Sequence, residues 1–154
     1  MSADDLSPRS AAAPDADGVL LAATLERLGE QDEDIAPAVF LRFIERRPDL
    51  ASMFRTILPG HPPLGCGNMV FEILCLLKDN ADGQPYVGGY LGDLILGHRQ
   101  FGVDRANDYA EILDTIREVV GARLGSAWPE AERAAWARQT RALQGRIRGL
   151  AEAA

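Results

Sequence analysis

The chain has little with which to hold a bare metal ion, a nucleotide or a membrane. Its 154 residues include two cysteines, Cys66 and Cys75, and two histidines, His61 and His98. It has no Cys-x-x-Cys pair, no His-Glu-x-x-His, no phosphate loop and no Gly-x-Gly-x-x-Gly at a strand-to-helix turn, which excludes the chemistries those motifs support. Basic residues are in the minority: Lys and Arg number 16 against 23 Asp and Glu, for a net charge of −7. A surface of that sign suits neither nucleic acid nor an anionic membrane. No apolar run approaches the roughly 18 residues of a membrane span. The first residues include Asp4 and Asp5 and lack an apolar stretch, so no secretory signal is expected. If both cysteines lie on one helix, about 13 Å and half a turn separate them, too far for a disulfide. Reduced thiols in a cytoplasmic protein are expected.

What is present is helical periodicity. Residues 1–17 are small, polar and proline-containing and read as a flexible tail, with a single domain over 18–154. Beyond the tail no segment alternates like a strand. Apolar stripes run through Leu21, Leu25 and Leu28, through Ile35, Val39, Phe40 and Phe43, and through Cys66, Val70, Ile73 and Leu77. Others follow through Tyr109, Ile112, Leu113, Ile116 and Val120, and through Trp136, Thr140, Leu143, Ile147 and Leu150. With a helix that opens at Pro85 and exits at Gly102 this predicts an all-α fold of unevenly long, obliquely packed helices. Trp128 and Trp136 read as packing anchors.

The stretch YVGGYLGDLILGHRQFGV at 86–103 organises the rest. Leu91, Leu94, Ile95 and His98 fall at i, i+3, i+4 and i+7, so an apolar helix face ends in an imidazole. Pro85 suits the first helical position and Gly102 the exit. Such a histidine either ligates a metal through one nitrogen while the other donates to the Leu94 carbonyl, or is a core histidine satisfied by backbone alone.

Three stretches resemble the globin family. PDLASMF, with Pro48 and Phe54, resembles the corner whose phenylalanine packs on haem. LGHRQFGV at 96–103 resembles the proximal-histidine segment, His-x-x-x-Gly-Val. LGSAWPEAERAAWARQ at 124–139 resembles the connection into the last globin helix. They occur in the family's order over about 19–147, and the nearest resemblance is to bacterial single-domain globins and the haem domains of flavohaemoglobins. The long first helix favours a three-over-three sandwich.

The resemblance implies a haem b cofactor with His98 as axial ligand to the iron. It implies that Phe54, Leu94, Val103 and Tyr109 lie at the haem, and that Phe40, Cys66 and Val70 overlook its distal face. Ala36 and Gly67 match the small pair at the central helix crossing. The tyrosine and glutamine usual over the iron in flavohaemoglobin-like globins are replaced here by Phe40 and Cys66, and Met69 stands where a cation often meets a propionate. His61, Cys66 and Met69 remain open as sixth ligands. The implied function is reversible binding of a diatomic gas: oxygen, nitric oxide or carbon monoxide. The alternatives are a sensor or interaction module, with or without haem, or a nitric oxide dioxygenase that borrows a separate reductase.

Overall fold

A computed structural model describes residues 16–31, 34–51, 66–103 and 105–153. They form six α-helices: α1 (Ala16–Glu30), α2 (Ala36–Arg46), α3 (Cys66–Ala81), α4 (Val87–Arg99), α5 (Ala106–Leu124) and α6 (Glu130–Ala153). A short 3₁₀ turn, Gly125–Ala127, joins the last two, and no strand occurs among the described residues. None of these helices is long and apolar enough to cross a membrane. The fold is therefore all-α. Both cysteines fall on α3.

Three of the helix starts are set by recognisable local chemistry. The Asp34 carboxylate accepts the Ala36 N–H at 3.0 Å, and a proline stands in the first turn of α2, where a missing N–H costs nothing. Helix α2 then buries Ala36, Val39, Phe40 and Phe43 on one face. At α5 the Asp108 carboxylate reaches back to the Arg105 N–H at 3.4 Å, as in a capping box. Helix α4 starts at Val87, two residues later than the sequence predicts. Pro85 instead occupies a turn closed by Val87 N–H to Gln84 C=O at 3.4 Å, the second turn position that proline's fixed φ suits.

Helix α6 is the hub, packing against α5, α1, α3 and α4, while α2 lies against α5 and α3. Leu21, Val39, Leu77, Val87, Leu91, Ile116, Val120, Trp136 and Leu143 are fully enclosed between these layers. A buried polar chain ties α1 to the start of α6. The Trp128 indole donates to the Thr24 hydroxyl at 3.1 Å, and that hydroxyl donates to the Glu132 carboxylate at 2.8 Å. Arg27 Nε completes the set at 3.2 Å from Glu132. Satisfying a buried carboxylate in this way avoids the several kcal/mol that an unpaired one costs.

The expected tail boundary at residue 17 is drawn back, because α1 begins at Ala16 and Asp17 is buried. Arg138 of α6 donates to Asp17 at 2.7 Å and Gln139 at 2.9 Å. These partners lie more than a hundred residues away, so local composition carries no sign of them. The Arg138 hydrogen bond holds the Asp17 carboxyl below its ordinary range, against the opposing effect of burial. A depressed folded-state value adds stability above the unfolded value of about 3.9 and loses it as pH falls through the folded one. Since Arg138 is 52% exposed, Asp17→Asn is expected to cost only about 1 kcal/mol at neutral pH. That cost should fade below about pH 4, and denaturant midpoints at pH 7 and pH 3 measure it.

Candidate functional site

Helix α4 carries the central side chain. His98 sits one turn after Leu94, and its Nδ1 lies 2.8 Å from the Leu94 carbonyl oxygen. A carbonyl only accepts, so Nδ1 bears the proton, and in the neutral ring Nε2 is left with the lone pair. The helix then ends in a Schellman arrangement. Val103 N–H donates to His98 C=O at 3.2 Å and Gly102 N–H to Arg99 C=O at 3.0 Å. Gly102 has φ +81°, the left-handed conformation that glycine adopts without penalty. This reversal folds Val103 back beside the end of α4. The Tyr109 hydroxyl of α5 donates to the Val103 carbonyl at 3.3 Å, and its ring meets the imidazole edge-on at 5.9 Å between centroids. The imidazole is thus fixed from its own helix and from α5.

His98 faces a cavity of about 550 Å³. Phe43 of α2, Met69, Ile73 and Leu76 of α3, Leu91 and Leu94 of α4, and Ile112 and Leu113 of α5 supply apolar wall. Leu143 and Ile147 of α6 also line it. The polar lining is sparse and mostly engaged. Tyr90 donates to Glu72 at 3.0 Å, linking α4 to α3, and burial together with that carboxylate pushes the Tyr90 phenol up. Nearby, the hydrogen bond from Tyr86 to Asp79 raises the Tyr86 phenol to about 12. Asp108 pairs with Arg47 at 2.6 Å. No lysine or arginine lines the cavity among the described residues.

Of the residues expected at the site, Leu94, His98, Val103 and Tyr109 are brought together on this wall. Phe40 and Val70 are buried in the adjoining core, at 3% and 2% exposure, and are not part of the lining. Their places are taken one turn further along by Phe43 and Ile73, with Met69 beside them. Phe54 and His61 lie outside the described residues, as do the Cys66 side chain and the surroundings of Gly67. Ala36 is buried on α2. The three-residue offset is the same on α2 and α3. Residues i and i+3 share one helix face, so the stripe alone does not say which turn reaches a cavity. Glu72, Tyr90 and Asp108 escaped notice because polar residues at a stripe's edge read as solvated positions.

The second cysteine, Cys75, is a free, half-buried thiol on α3. Burial, reinforced by the Asp79 charge, raises the half-buried Cys75 thiol, and nucleophilic thiols need the opposite shift. Among the described residues there is no cluster of three His, Cys, Asp or Glu able to hold a metal ion. The cavity is thus largely apolar, with one oriented imidazole in its wall.

No protein-family model matches the chain, and comparison with curated proteins gives no match.

Proposed function

We propose that this chain is a globin that binds haem b through His98 and reversibly takes up a diatomic gas. The observation that carries the reading is the oriented imidazole in an apolar cavity: Nδ1 is tied to the Leu94 carbonyl at 2.8 Å, and His98 lines a space of about 550 Å³. That volume lies within the roughly 300–1,000 Å³ of small-molecule sites. The wall suits the faces of a macrocycle, and the donor set suits a metal that arrives already held in one. The described lining offers no cation to the propionates, so those belong in water. The order of helices and the resemblance at 48–54, 96–103 and 124–139 point the same way.

Haem, when bound, supplies an iron to which oxygen, nitric oxide or carbon monoxide binds reversibly. The work of the chain is to orient and to exclude. The Leu94 carbonyl, by accepting from Nδ1, fixes the tautomer and the orientation of the ring. Tyr109 and the Gly102 reversal hold the ring in place, while Phe43, Ile73 and Leu76 keep water out. None of those three wall side chains donates a hydrogen bond, so this part of the wall gives a polar gas ligand no partner. Oxygen, which gains from a donor, is expected to be held less well relative to carbon monoxide than in a pocket with a tyrosine.

Reconstitution tests the reading. Apoprotein titrated with haemin should take up one equivalent, with a Soret band that shifts on reduction and again under carbon monoxide. A chain whose added haemin stays spectroscopically free is not a haem protein.

A further inference from the structure

We propose that Met69 is the iron's second axial ligand when no gas is bound, an assignment that rests on the haem reading above. Among the described residues that line the cavity, the side chains with an atom able to donate to a metal are Met69, Glu72, Tyr90, His98, Asp108 and Tyr109. His98 supplies one from α4. The Tyr90 hydroxyl donates to Glu72, so both partners of that pair are engaged with each other. The Tyr109 hydroxyl donates to the Val103 carbonyl. Asp108 is paired with Arg47 and also accepts the Arg105 N–H at the start of α5.

Met69 differs from all of these. It lines the cavity from α3, the wall that does not carry His98, and packs partly buried against the core. Its thioether bears neither charge nor proton, so ligation leaves no buried charge uncompensated and releases no proton. Three rotatable bonds let the sulfur reach or withdraw without backbone movement. Ile73 and Leu76, which line the cavity from the same helix, hold no rival donor. A histidine and a methionine together form a recognised axial pair for haem iron, which favours the ferrous state. An incoming gas must then displace a neutral, weakly held sulfur, so gas binding is limited by the fraction of molecules in which the thioether is detached.

The test compares haem-reconstituted wild type with Met69→Leu, a substitution close to volume-conserving and therefore tolerated by the fold. Wild-type ferric protein should be low-spin and show the long-wavelength sulfur-to-iron charge-transfer band. The variant should retain haem through His98, become high-spin and lose that band. Carbon monoxide should bind the ferrous variant at least about tenfold faster, because the competent fraction no longer has to be reached by sulfur dissociation. A high-spin ferric wild type overturns the Met69 assignment and leaves the haem reading intact. So does a low-spin spectrum that survives in Met69→Leu. A wild type that takes up no haemin overturns both.

Discussion

On the haem reading proposed above, His98→Ala is expected to leave the protein unable to retain haem. The side chain carries one nitrogen free to ligate, because the other is held by the Leu94 carbonyl at 2.8 Å. Loss of an outer-shell partner alone costs roughly 10- to 100-fold in metal affinity, so removing the ligand itself should speed haem loss beyond about a hundredfold. Transfer to an excess of a colourless haem acceptor measures that rate. The fold should survive, since His98 is only half-buried and its ring hydrogen bond goes to its own helix. Added imidazole should enter the vacated space and restore part of the spectrum. Wild-type-like retention in His98→Ala would show that another side chain binds the iron. Retention that depends on Met69 in that background would transfer the stronger ligand to α3.

The second large effect concerns stability. Trp136 is completely enclosed, and its ring meets that of Trp128 edge-on at 6.3 Å between centroids. Trp136→Ala should cost about 3–5 kcal/mol, the lost transfer energy of the indole plus that of the cavity left behind. For a chain of this length about 2–4 °C of melting temperature is lost per kcal/mol, which predicts a fall of roughly 6–20 °C. The indole Nε1 has no hydrogen-bond partner among the described residues. Trp136→Phe should therefore cost far less, since it keeps much of the ring and abandons no hydrogen bond. Calorimetry or thermal circular dichroism distinguishes the two variants. Equal losses for Phe and Ala would mean that the N–H matters more than the packing. The neighbouring Trp128 serves differently: it donates to Thr24, and its ring lies where a side chain at Gly121 would come within 3.2 Å.

The class of fold and the helix face that carries His98 are legible in the local pattern of residues. Helix, turn and cap are short-range matters, so the stripes gave α1 to α6 and Gly102 marked the end of α4 with its φ of +81°. Leu94 and His98 are one turn apart, and their hydrogen bond follows from helix geometry alone. The opposite wall depended on tertiary structure. Phe40 or Phe43, and Val70 or Ile73, are equivalent to a periodic reading, and the choice falls to how α2 and α3 pack against their neighbours. Packing buries Phe40 and Val70 in the core and brings Phe43, Met69 and Ile73 to the cavity. The long-range polar contacts were equally beyond a local reading: Asp17 with Arg138, and Thr24 with Glu132. Such pairs depend on where two distant helices come to rest, and that position is set by the whole core rather than by any one stretch of chain.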